Sequence, residues 1–505
     1  MRSKSVAVRA NMVAFSTAVL VFWSVLGALG PGNSVLAQAT LVVDDDGFAS
    51  AADCDDASTA AFLTISAAEA AASPGDTIMV CPGIYNEQVS INVSNLTIVG
   101  AKAGVDARTR AFVAADESII DHPCGPVQIA ADNVVLDGFT VQGSTQSDPC
   151  FIAGIWTNPG GTGTNGGHQI LNNIVQANIF GIFLNSNCTY PTLVQFNLVQ
   201  NNNNPGPGSG NGIESELGLC NGTIDSNKFS GHTNASVLVF GATNLNVTNN
   251  ELVGGSPGAR IVFVDVVTGT ISGNVSVGST AVNGTIRLFS GNTDITVDDN
   301  TLLNGIIGIR VGTGANSGVE AHGNCIQDNT VAGMQVDTGA HPPMLNAENN
   351  WWGDPSGPTH PSNPGGTGDA IIDPDGVVDP VPFLTTPPPL PSCPAPPLPT
   401  EGKGTGGGQV QGASFGFNAQ VKGGVSSGHF EFNERGGLNH HCDVTLVTFV
   451  SATVIEFDVS CNTGTGHVRA EDNQKQGSGA GADTLTFTLS TKGGTLIRGQ
   501  ITVHN

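Results

Sequence analysis

Positive charge is what this chain has least of: 17 Lys and Arg among 505 residues, against 42 Asp and Glu. Binding to phosphate polyanions needs a basic footprint, so nucleic acid and acidic membrane surfaces are excluded as partners. Charge of either sign is scarce, at 12%, while Gly reaches 68 residues. That balance suits short strands and tight turns and is a poor match for helices. Cys-x-x-Cys spacing is missing, which removes the usual zinc sites. A nucleophile elbow, a Ser/His/Asp motif and a phosphate loop are missing too. The histidines are scattered, and the adjacent His440 and His441 on a strand would point to opposite faces, which disfavours joint metal ligation.

Only one long apolar run is present, at the start. Arg2, Lys4 and Arg9 form a charged region, Met12 to Leu29 is apolar, and Ala37-Gln38-Ala39 reads as a cleavage site. Residues 1–39 are therefore expected to be a signal peptide, giving a secreted or cell-surface protein with no membrane insertion of the mature chain. Removing the leader takes away three of the 17 positive charges and leaves 14 against 42, about −28. All ten cysteines lie beyond it, and an even number in an exported chain suggests disulfides. Cys442 and Cys461 stand alone in the C-terminal segment and are expected to pair. Seven precede the Pro-rich stretch, so Cys393 is left to clamp back, with Cys325 one candidate.

What the sequence does have is a repeat. Asn173, Asn197, Asn227, Asn250, Asn274, Asn300, Asn324 and Asn350 follow one another at 24, 30, 23, 24, 26, 24 and 26 residues. A period of this length marks a solenoid whose repeats bury their apolar faces against one another. The asparagines are expected to stack as an amide ladder at a turn, each in a position where Asn tolerates left-handed backbone. A second column runs between them: Ile155, Ile182, Ile213, Val237, Ile261, Ile286, Ile309 and Met334. Two residues on come Thr157, Leu184, Ser215, Val239, Phe263, Leu288, Val311 and Val336. With a side-chain period of two, both columns point inward and the residues between and after them point outward.

Residues 40–100 read as an N-terminal cap, with a helix-favouring stretch at Phe62 to Ala72 stopped by Ser73-Pro-Gly-Asp. The run Ala71-Ala-Ser-Pro-Gly-Asp-Thr-Ile-Met-Val-Cys-Pro-Gly-Ile-Tyr-Asn-Glu87 and the later Asn346-Ala-Glu-Asn-Asn-Trp-Trp-Gly-Asp-Pro-Ser-Gly-Pro358 resemble the opening and closing segments of pectin-lyase-like proteins. Within that superfamily they are most similar to the secreted right-handed β-helix and NosD-like types. The resemblance spans residues 40–384 and implies an all-β, right-handed parallel β-helix with a capping helix. It names no activity.

Residues 385–408 read as a linker, Pro-rich and then Gly-rich from Gly402 to Gly408. Residues 409–505 carry alternating runs such as Ser414 to Asn418 and Val454 to Val459, expected as a small antiparallel β-sandwich. Ala413 to Asn418, with Ser427 to Phe432 and Leu438 to His441, resembles the accessory domain of post-COAP type, which implies a non-catalytic module.

In the β-helix the outward columns are where chemistry would sit. Trp156, Phe183, Glu214, Leu238, Val262, Arg287, Arg310 and Gln335 follow the inward column directly. Asn158, Asn185, Glu216, Phe240, Val264, Phe289, Gly312 and Asp337 come two residues later. Trp156, Asn158, Phe183 and Asn185 are candidate glycan-binding residues. Glu214 and Glu216, about 6.5–7 Å apart between alpha carbons, are candidate catalytic carboxyls. A lyase would need a base such as Arg287 or Arg310 near a calcium-binding acid cluster, yet Glu216 lies three rungs away, roughly 14 Å. Asp44, Asp46 and Asp53 are the candidate calcium ligands, although Val42 stands where an EF-hand loop needs its first ligand. Two function classes follow. One is an extracellular polysaccharide- or cell-surface-glycan-binding structural protein; the other is a polysaccharide-active lyase or hydrolase. A copper role finds no supporting Met/His/Cys cluster.

Overall fold

The computed structural model describes residues 38–159, 163–216, 218–254, 258–393, 401–451, 453–473 and 482–504. The signal peptide expected over residues 1–39 lies almost wholly outside them. Three parallel sheets, of thirteen, twelve and ten strands among the described residues, wrap one core and form a parallel β-helix. Through the middle of the rod each coil lends one strand to each sheet. Thr192–Gln195 belongs to the first, Ile213–Ser215 to the second and Leu198–Gln200 to the third.

The inward column holds residue for residue. Ile155, Ile182, Ile213, Val237, Ile261, Ile286, Ile309 and Met334 pair in unbroken register along the second sheet. Each is at most 1% exposed. Val89 and Val127 extend the column at one end and Ile371 at the other. Burying each such side chain contributes about 1.5–3 kcal/mol, so the stack is the main source of cohesion.

At the corner between the first and third sheets the eight asparagines are buried. Each side-chain amide donates to the carboxamide oxygen of the next, at 2.9–3.2 Å. The left-handed residue at this corner is the one before each asparagine, contrary to expectation. Asn172, Phe196, Ser226, Asn249, Gly273, Asp299, Gly323 and Asn349 all have φ between 52° and 67°. The asparagine then uses its side chain to bind backbone that the turn leaves unpaired. Shorter stacks join Asn178 to Asn202 and Asn292 to Asn316 at the other corners.

The ends are closed by different means. The helix Ile65–Ala71 is capped by Thr64, and Glu87 accepts from the backbone of Ile65 and Ser66. Its Ile65 and Ala68 join the apolar core. At the far end Trp351 and Trp352 are buried, and Leu384 and Leu390 pack on Trp351 beside the Cys325–Cys393 disulfide. The other disulfides are Cys54–Cys81, Cys124–Cys150, Cys188–Cys220 and the expected Cys442–Cys461.

The C-terminal unit is antiparallel, as expected, but forms one curled nine-stranded sheet in place of two facing sheets. The curl brings Phe417 and Phe457, from strands three places apart, to 5.1 Å between ring centres. Its first strand is Gly402–Val410, paired on both sides. The glycines assigned to a linker are thus part of the sheet. A Cβ on Gly406 would come within 2.4 Å of the Phe417 ring, so glycine here makes room for the aromatic core.

Candidate functional site

The second sheet presents its outward row in register. Gln128, Trp156, Phe183, Glu214, Leu238, Val262, Arg287, Arg310 and Gln335 each neighbour the next on adjacent strands. Adjacent strands lie about 4.8 Å apart, so the row runs the length of the rod.

Its first third is covered. Trp156 stands edge-on to Phe151 at 5.1 Å and packs on Phe183 at 4.4 Å. Phe183 is buried, so the pair forms a small apolar cluster and is no open stacking platform. Asn158 and Asn185, expected to meet a glycan, are buried turn amides, 1% and 0% exposed. Asn158 has φ 57° and bonds to the backbone of Asn165 and Asn185. The reason is geometric: the strand ends at Thr157, so Asn158 belongs to the corner.

Glu214 and Glu216 are unequal. Glu216 is exposed, whereas Glu214 is 6% exposed and takes a hydrogen bond from Asn211 at 2.9 Å. The chain folds back over it at Gly208, where a Cβ would sit 2.9 Å from its carboxylate oxygen. Burial, reinforced by the Glu216 carboxyl, pushes the Glu214 pKa up to about 7. A carboxylic acid that keeps its proton near neutrality can donate it.

Next along the row the surface sinks into a trough of about 260 Å³. Leu238, Phe240, Val262, Val264 and Phe289 make its apolar floor, and Asn234, Asn283 and Arg287 stand at its rim. The guanidinium of Arg287 lies 4.1 Å from the Phe289 ring centre, and its Nε has no hydrogen-bond partner. Arg310, one rung on, is engaged differently. It holds Asp337 through Nε and Nη2, at 3.2 and 3.0 Å, and reaches Asn283. The two arginines, expected as a pair, thus do separate things: Arg310 is neutralised and Arg287 is not. Asp337 was visible in the outward column, two residues past Gln335, which is the register partner of Arg310 on the adjacent strand.

The acidic turns behave as turns. Asp53 accepts from the backbone of Asp55 and Asp46 from that of Phe48. Asp44 is 7% exposed, and burial together with Asp46 and Asp45 lifts its pKa to about 6. Asp53 closes a separate turn through Ser50. Among the described residues no three His, Cys, Asp or Glu are placed to hold a metal ion, so the calcium ligands do not converge as expected. No helix of the described residues is long and apolar enough to cross a membrane.

No family model matches the chain, and no curated protein matches it. Solved structures do. The chain is similar to DFA-IIIase from Arthrobacter chlorophenolicus A6 in complex with GF2, at 15% identity over 63% of this chain and 92% of that one, with a TM-score of 0.40. An alginate lyase from Paenibacillus sp. str. FPU-7 matches at 11% identity over 68% and 99%, with a TM-score of 0.38. Tailspike protein 2 from Escherichia coli O157:H7 bacteriophage CAB120 matches at 11% over 84% and 69%, with a TM-score of 0.40.

Proposed function

We propose that this is a secreted or cell-surface carbohydrate-binding protein whose β-helix seats a glycan in the trough between Glu214 and Arg287. The observation that carries the reading is the trough itself. An apolar, partly aromatic floor suits the C–H face of a sugar ring, and the amides and guanidinium at its rim suit the hydroxyls. Five disulfides fit an oxidising compartment. The C-terminal sheet is then an appended module of post-COAP type, with no catalytic part.

The second reading is a polysaccharide-active hydrolase or lyase. The raised pKa of Glu214 favours it, because a carboxyl that stays protonated near neutrality can serve as a general acid, with Glu216 as the second carboxyl two residues on. One experiment separates the two. The full-length chain is offered neutral and uronate polysaccharides, with and without calcium, and both binding and new reducing or unsaturated ends are measured. Binding that Phe289→Ala weakens at least tenfold, with no new ends, supports the first reading. New ends that vanish in Glu214→Gln establish the second and overturn the first. No binding to any glycan sinks both.

A further inference from the structure

Arg260 carries a full charge inside the solenoid. It is 1% exposed, its Nη1 donates to the Val253 carbonyl at a long 3.4 Å, and its Nε and Nη2 have no partner. A guanidinium does not give up its proton in a protein, so the charge stays. Arg110 and Arg310 each meet an acid at 3.0 Å. For Arg260, burial pulls the pKa down, and among the described residues no carboxylate counters it. An unpaired buried charge is among the costliest features a fold can hold.

The position is itself unusual. In register with Arg260 along the second sheet stand Gly154, Gly181, Gly212, Ser236, Thr285, Gly308 and Gly333. At Gly154 and Gly181 a Cβ would press within 2.5 Å of neighbouring atoms. The column is closed there and carries a side chain only at Ser236, Arg260 and Thr285.

Further unpartnered polar atoms lie on the neighbouring strands. Ser236 neighbours Arg260 on the adjacent strand, is 0% exposed, and its Oγ has no partner. Ser276 pairs with Leu252, the residue before Val253, and its buried Oγ is also unpartnered. His232 bonds the Val199 carbonyl through Nε2, so that nitrogen carries the hydrogen and Nδ1 keeps a lone pair. Burial, with Arg260 adding to it, holds His232 neutral, with a pKa down at about 4.

We propose that this cluster is a buried binding site for a small inorganic anion of the halide class, held by Nε and Nη2 of Arg260 with the hydroxyls of Ser236 and Ser276. The anion neutralises the guanidinium and takes up donors that the solenoid leaves unused. His232, which offers a lone pair, accepts from a water that accompanies the ion.

The test uses the full-length chain in halide-free gluconate medium at fixed ionic strength, titrated with bromide. The unfolding midpoint is expected to rise by several degrees, linearly in the logarithm of bromide concentration once the site fills. Arg260→Met is expected to be indifferent to bromide, with a midpoint in gluconate above that of the parent. Should that variant not fold, Ser236→Ala keeps the charge and removes one donor, so bromide should bind several-fold more weakly. Crystals grown in bromide should show an anomalous peak beside Arg260. A parent midpoint unmoved by bromide overturns the proposal. So does an unchanged response in Ser236→Ala, or no peak at Arg260 while bromide occupies other sites.

Discussion

Glu214 and Leu238 occupy the same outward position on adjacent strands, so a buried carboxyl and the apolar trough share one face and meet at one rung. The trough is therefore flanked by a group whose charge depends on pH near neutrality at one end and by an unpaired arginine at the other.

Stability should report the Glu214 carboxyl directly. Its pKa in the fold, about 7, stands above the ordinary 4.5. The folded state therefore holds the proton more tightly, and the stabilisation present below pH 4.5 is lost as pH rises towards 7. The loss is on the order of 3 kcal/mol. Glu214→Gln mimics the protonated form and should flatten that part of the profile. The measurement is urea unfolding from pH 4 to 8 on both proteins; parallel profiles would show that Glu214 is not the group responsible.

Asn227 sits mid-stack and binds on every side. Its amide donates to the Val194 and Asp225 carbonyls and to Asn250, and its oxygen accepts from both the backbone and side chain of Asn197. Asn227→Ala strands several buried groups at once and should cost about 3 kcal/mol or more. An unfolding free energy within about 1 kcal/mol of the parent would mean that water replaces the amide at little cost.

No disulfide crosses the stretch between Cys393 and Gly402, since four lie before it and Cys442–Cys461 after it. Limited proteolysis there should give two stable fragments that separate without reductant. Rapid loss of either fragment would argue that residues 402–504 do not stand as an independent unit.

How much of this was readable beforehand follows from period. Side chains alternate strictly in a strand, and the coils repeat at nearly constant length, so every inward residue from Ile155 to Met334 could be placed from the sequence. Asn158 and Asn185 could not, because alternation stops where the strand ends, at Thr157 and at Phe183, and Asn158 then turns at a positive φ. The burial of Glu214 was equally hidden: it depends on a fold-back at Gly208 that no periodicity announces. Gly402 to Gly408 looked like a flexible tether because glycine has no side chain to alternate. Its role is written elsewhere in the sheet, where Phe417 on a partner strand and Ile455 across the curl fill the space.

The sharpest energetic test lies in the Arg110–Glu117 pair. Glu117 is 0% exposed and is bound by Nε and Nη2 of Arg110, at 3.1 and 3.0 Å, and by Thr140 at 3.0 Å. The same guanidinium reaches the carbonyls of Val105, Asn172 and Phe139, tying residues 105–117 to the coils beneath. Arg110→Met removes the charge partner and leaves Glu117 desolvated with one hydroxyl, at an expected cost of about 3–5 kcal/mol. The double variant Arg110→Met, Glu117→Leu removes both charges and should recover much of that loss, because the desolvation penalty goes with them. If the double variant is as unstable as the single, the loss comes from the severed carbonyl contacts and not from the stranded carboxylate. Chemical unfolding of the four proteins in this cycle measures the two contributions separately.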